Sequence, residues 1–433
     1  TPRSQLTPER PTATPEPQVQ QQQQQEQQQE HTQRQQQQEE PLLPLPFGKS
    51  PLRNTLFSPP IPPRPLKPTK LSRIIGCGGG SKSNNISWCD DDKRLCFNIN
   101  NSIVSVDVKN EAQQFIHNLS PVSLTTVSQS SKLIGCASST FLKIFNNGHH
   151  CVANISLHNS KSGELPPKPI SIAFNVNESS FACVLLDSQR RTSIVIYDVS
   201  SLSSDKDVDV GGDPTSSAAC VRSLPILGRQ TSDFPITKMS FSPYENSRLV
   251  SCGSENVRFW RLKSDHLPAC PAILNEFARG TAFTDVAFES SYGMLDDRDI
   301  QKIVFVSSDK GTILQISYTT RSVLCVLRLH TGPINTLCVN EGYAVTGGSD
   351  GYLRLWPLDF SDFLLEAKHE GGVEGVALSR DGLTIGVCCE GGTIGVLDVV
   401  TQSYETVMRS HTDTVLSIVP DPIISRANLA TLS

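Results

Sequence analysis

From Leu71 onward the chain breaks into short apolar runs of strand length, separated by clusters of Gly, Ser, Asn and Asp. Seven of these runs share one pattern: Ile103–Val106, Leu142–Phe145, Ile194–Tyr197, Val257–Trp260, Ile313–Ile316, Leu353–Trp356 and Ile394–Leu397. The steps between their last residues are 39, 52, 63, 56, 40 and 41. Such a spacing predicts an all-β repeat architecture with units of about 40–45 residues, three of the steps carrying insertions. Insertions belong in loops, and the surplus falls in Asn159–Pro169, Ser200–Ala219 and Ser290–Asp299, all rich in Gly, Ser, Asp or Pro.

The clearest unit runs from Leu329 to Trp356. His330-Thr-Gly leads into an alternating strand, Ile334–Val339, and a second strand from Tyr343 ends in Thr346-Gly-Gly-Ser-Asp350-Gly. A third strand then closes on Trp356. That order resembles a WD repeat, the four-stranded blade of a β-propeller. Buried on the third strand, the Trp356 indole N–H needs an acceptor. Thr346 can supply it, and His330 can bridge Thr346 to Asp350 in the tight turn. The resemblance implies that this buried tetrad pins the strands of the blade, which makes His330 a core histidine rather than a catalytic one. An eighth unit opens at Tyr404, passes His411 and Val415, and stops before a third strand. The pattern therefore fits a seven-bladed ring (71–400) running into a neighbour (401–433), or an eight-bladed ring cut short. Leu71–Ile75 reads as an outer strand that helps close the ring.

Residues 1–70 have a different character. Residues 18–38 are mostly Gln, and ten of the thirty residues 41–70 are Pro. So little apolar surface cannot offset chain entropy, so the segment is expected to be a disordered tail. Its Pro-rich half favours polyproline II, a stiff linker in which Pro59, Pro62 and Arg64 also fit a P-x-x-P-x-R docking spacing. A chain opening on Thr1 and ending inside a repeat reads as a fragment.

Net charge is −5, which disfavours a uniformly basic nucleic-acid binder. No run of 18 apolar residues is present to span a bilayer as a helix. Thirteen cysteines, an odd number scattered singly through strand-like runs, point to a reducing compartment rather than a disulfide framework. Cys77, Cys89 and Cys96 form the closest set of three but lack C-x₂-C spacing, and Cys388 and Cys389 are adjacent, so their side chains would point to opposite strand faces.

Other motifs reduce to turns and connectors. Gly76–Ser83 approaches a phosphate loop, yet Ser81 stands where the final Gly is required, and a strand follows where a helix should. Asp90–Asp92 lacks the alternating ligands of a calcium loop and sits between two strand runs, as a hairpin turn does. His149 and His150 have no further ligand at zinc spacing. No nucleophile elbow, zinc-protease helix or paired redox cysteine motif occurs. No metal, cofactor or catalytic residue is therefore expected.

Gly342–Val399 carries a narrower resemblance. The run Leu355-Trp-Pro-Leu-Asp-Phe360 replaces the usual Trp-Asp ending, and Leu364-Leu-Glu-Ala-Lys-His-Glu-Gly371 is similar to a segment of the large tandem-propeller WD-repeat proteins of the centriole wall and cilium. The resemblance implies a structural role in the cytoskeleton, with propellers linking components of the microtubule wall. An N-terminal domain of that family contacts microtubules and is not present in this sequence. The expectation is a non-catalytic scaffold binding proteins, tubulin-associated ones among them, through blade faces and loops. Competing readings are a WD-repeat adaptor of a ubiquitin-ligase or chromatin complex, and a nucleotide binder using the Gly76–Ser83 loop.

Overall fold

The computed structural model describes residues 73–77, 86–117, 119–157, 165–202, 224–289, 302–340, 342–411, 416–420 and 429–432. The expected tail, with Pro59, Pro62 and Arg64, lies outside them, as do most of the three expected insertions. Of the first insertion, Lys168 and Pro169 open a strand, Lys168–Phe174.

Twenty-eight strands form seven four-stranded antiparallel sheets, each built from four consecutive strands. They occupy 86–116, 122–156, 168–231, 236–271, 283–328, 334–368 and 373–408, and are numbered here as blades 1 to 7. The seven apolar runs are the third strands of the seven blades. Alternation explains the layering. In blade 3 the second strand, Ser180–Leu186, is buried along nearly its whole length, whereas the fourth, Ile226–Thr231, is largely exposed. Inner strands contact both neighbouring blades, so they are largely apolar on both faces, with a few buried charged groups such as Arg94 and Asp285, while the outer strands are more exposed. The architecture is a seven-bladed β-propeller.

The ring closes where blade 7 meets blade 1. Ile86, Trp88, Leu95 and Phe97 of blade 1 share one apolar cluster with Ala377, Cys388, Ile394 and Met408 of blade 7. The Trp88 indole N–H donates to the Ala377 carbonyl at 2.9 Å, and Asp92 accepts the Arg380 amide at 2.9 Å. Two glycines at the same strand position show that this junction repeats an ordinary one. A Cβ on Gly135 of blade 2 would strike Phe181 of blade 3 at 2.9 Å. One on Gly386 of blade 7 would strike Leu95 of blade 1 at 2.6 Å. Blade 1 therefore stands to blade 7 as blade 3 stands to blade 2, which decides for seven blades over eight.

Two expectations change. Ser403–Met408, read from sequence as the start of an eighth unit, pairs with Ile394–Asp398 as the fourth strand of blade 7. A sequence repeat begins on the outer strand of the preceding blade, so repeat and blade are out of phase by one strand. A separate hairpin, Ser417–Pro420 with Leu429–Leu432, follows. Residues 73–77 form no strand. Their backbone is held instead by the Gln113 side chain, which accepts from Ile74 N at 2.8 Å and donates to Ile74 O at 2.9 Å.

Candidate functional site

Blade 6 brings His330, Thr346, Asp350 and Trp356 together. The Trp356 indole N–H donates to Thr346 Oγ1 at 2.9 Å, and Thr346 Oγ1 lies 2.8 Å from His330 Nε2. His330 Nδ1 is 2.9 Å from Asp350 Oδ1. Each step has one consistent direction: tryptophan donates to threonine, threonine to Nε2, and the Nδ1–H to the carboxylate. That assignment makes His330 a neutral Nδ1-protonated imidazole. Burial pulls the His330 pKa below its ordinary value, more than the Asp350 carboxylate raises it. Burial pushes Asp350 upward, but the hydrogen bond from His330 and those from backbone amides outweigh it and leave its pKa lowered. Asp350 takes the Thr331 and Tyr352 amides at 3.2 Å each, closing the turn from both sides.

Two residues complete the network without having been singled out in sequence. Arg354 donates to the Leu329 carbonyl at 2.7 Å and pairs with Glu366 at 2.6 Å, fastening the loop before the first strand to the third and fourth strands. At Gly348 a Cβ would stand 2.4 Å from both Asp350 Oδ1 and His330 Nδ1. A side chain there would occupy the space of the His–Asp bond. The signal for Gly348 was the second Gly of Thr346-Gly-Gly, which reads as turn chemistry until the histidine is placed beside it.

Side-chain bonds also tie neighbouring inner strands. Asp285, wholly buried in blade 5, accepts the Leu337 amide of blade 6 at 3.0 Å and its neighbour Val286 N at 2.8 Å. Burial raises its pKa. Thr284 donates to Ile334 O, Asn335 to Val373 O at 2.9 Å, and Asn98 of blade 1 to Val122 O of blade 2 at 2.8 Å. These polar residues serve the ring itself.

Other sequence candidates are placed as follows. Asp90, Asp91 and Asp92 each adopt positive φ in the turn between the first two strands of blade 1. Asp91 pairs with the Arg380 guanidinium at 3.6 Å, and Asp92 accepts the Arg380 amide. His149 also sits in a turn at positive φ, and burial lowers its pKa. Among the described residues no group of three His, Cys, Asp or Glu side chains is arranged to hold a metal ion. Gly76 and Cys77 are described; the remainder of the Gly76–Ser83 loop is not. A cleft of about 370 Å³ opens between blades 3 and 4, lined by Gln230, Asp233, Arg258 and Trp260 among others. Within it the Arg258 guanidinium pairs with Asp233, and the Trp260 indole N–H donates to Ser251 at 2.9 Å.

A family model described as "WD domain, G-beta repeat" matches residues 321–357, the fourth strand of blade 5 through the third strand of blade 6. Seven four-stranded sheets closed into a ring carry that repeat across blades 5 and 6. The chain is a WD-repeat β-propeller. This WD-repeat chain is 31% identical over 371 residues to WD repeat-containing protein 90 of Xenopus tropicalis, covering 80% of the chain and 19% of that protein. It is 35% identical over 246 residues to centriole proteome protein 16 of Chlamydomonas reinhardtii, covering 54% of the chain and 11% of the relative. Mouse cilia- and flagella-associated protein 44 is 27% identical over 143 residues, 32% of the chain and 7% of the relative. The propeller thus spans about a fifth or less of the length of these relatives.

Proposed function

We propose that this WD-repeat propeller is a non-catalytic scaffold of the centriole or cilium, binding other proteins through its blade faces and inserted loops. The observation that carries the reading is the match to relatives named for those structures, centriole proteome protein 16 and cilia- and flagella-associated protein 44. The use of polar groups supports it. In blade 6 and between inner strands, the donors and acceptors that would serve chemistry are engaged in holding the ring. A rigid disc with loops at both rims suits simultaneous contact with several proteins. The proposed partners include tubulin-associated proteins of the microtubule wall, with the protein residing in the cytoskeleton at the centriole, basal body or axoneme.

Immunolocalisation of the endogenous protein tests the proposal. Signal at centrioles or basal bodies, co-sedimenting with the detergent-insoluble cytoskeleton, is expected. Uniform nuclear signal with none at basal bodies would overturn it in favour of an adaptor elsewhere. Saturable nucleotide binding lost in Lys82→Ala would overturn the non-catalytic reading.

A further inference from the structure

Cys77 and Cys388 are 311 residues apart in sequence, yet their Sγ atoms approach to 2.7 Å. We propose that the two form a reversible disulfide that staples the segment entering the ring to blade 7, across the closing seam.

Both sulfurs are held in place by their backbones. Cys77 N–H donates to the Gly392 carbonyl at 3.1 Å. Gly392 has φ +82°, and a Cβ there would meet Cys77 O at 2.8 Å, so the close approach of the two chains requires glycine. On the other side the Gln113 side chain fixes Ile74 to blade 1. Cys388 is set within the second strand of blade 7, paired with Gly375 on one side and Ile394 on the other. Reaching a bond length of about 2.0 Å needs a movement well under 1 Å. Cys389, the next residue, points to the opposite face of the strand and packs in the cluster between blades 6 and 7, whereas Cys388 packs in the one between blades 7 and 1.

The location gives the bond a consequence. All seven sheets are built from consecutive strands, so no strand is exchanged across the seam, and closure rests on packing and hydrogen bonds. A covalent link over so long a loop constrains the unfolded chain strongly. In a reducing compartment such a bond is transient and redox-responsive rather than permanent.

Oxidised glutathione can supply the oxidant. The thiolate of Cys77, the less buried partner, attacks one glutathione sulfur, releasing one glutathione thiolate and leaving a mixed disulfide. Cys388 loses its proton to solvent and displaces the second glutathione. Two protein thiols give up two electrons and two protons, and one oxidised glutathione becomes two reduced ones. The contact with Cys77 and burial raise the Cys388 pKa, so the second displacement accelerates as pH rises.

The test uses the full chain, reduced, then equilibrated with oxidised glutathione, alkylated and digested without reductant. A linked Cys77–Cys388 peptide about 2 Da lighter than the two reduced peptides together is expected. The melting temperature should rise by about 5 °C and return with dithiothreitol. Cys389→Ser should keep both effects and Cys77→Ser should lose both. A mixed glutathione adduct that persists at Cys77, a Cys388 linkage to any other cysteine, or a melting shift that survives in Cys77→Ser would overturn the proposal.

Discussion

Blades 6 and 7 are adjacent copies of one design with opposite interiors. His330 and His369 occupy equivalent places: each precedes its first strand by the same interval, and each donates its backbone N–H to a glycine carbonyl of the previous blade, Gly311 at 3.1 Å and Gly351 at 2.8 Å. Both first strands carry a bulge at the same point, Ile334/Thr336 and Val373/Gly375. Thr346 faces Leu337 as Val387 faces Val376. Yet in blade 7 the partners are gone. Val387 stands for Thr346, Gly391 for Asp350 and Leu397 for Trp356. His369 Nε2 is buried without a hydrogen-bond partner among the described residues, its ring against Tyr404 at 5.0 Å between centroids. Burial lowers its pKa.

The two sheets nonetheless share their topology and the pairing register of their first three strands. Strand alternation and turns are therefore enough to form a blade, and the polar tetrad adds stability and a defined interior to the one that has it. A fully satisfied buried network rigidifies, whereas a lone buried polar atom costs free energy.

Breaking blade 6 should give the largest effect. Trp356→Ala is expected to cost about 3–5 kcal/mol in urea unfolding, as buried aromatic truncations do. Loss below about 1 kcal/mol would mean that the indole is no anchor. Acid comes next. Native His330 and His369 both bind protons less readily than an unfolded histidine of pKa about 6.5. Their contribution is fully present above that value and is lost as pH falls through it towards the depressed native values. Melting temperature should thus drop between pH 7.5 and 5.5. The drop should shrink in His369→Phe. Below pH about 4 the lowered Asp350 pKa adds a second loss in blade 6, alongside those of other carboxylates held low, such as Asp398 of blade 7. The smallest effect belongs to His369→Phe at neutral pH. It removes an unpartnered buried nitrogen and is expected to change stability by less than about 1 kcal/mol, in either direction. His330→Phe should cost clearly more in the same assay.

Much of this was legible in sequence because strand periodicity is local. The seven third strands were recoverable from four-residue apolar runs, and the tetrad from the Leu329–Trp356 unit. Features that depend on the ring closing were not. Nothing local marks Gly386 as the seat of Leu95, or brings Cys77 to Cys388 rather than to Cys89 and Cys96 nearby in sequence. Blade limits were misplaced by one strand because the repeat signal starts on an outer strand. Asp285 gave no signal at all, since a single buried carboxylate between bulge amides has no motif.

Exchanging the two interiors at one position tests the contrast most directly. Thr346→Val and Val387→Thr are near-isosteric, and equilibrium urea unfolding reads both. Thr346→Val strands the Trp356 N–H and His330 Nε2 and should cost about 2–3 kcal/mol. Val387→Thr places a hydroxyl where the equivalent threonine meets its histidine, next to an unpartnered His369 Nε2, and should stay within about 1 kcal/mol of the parent. Equal losses from the two substitutions, or no loss from Thr346→Val, would contradict the account.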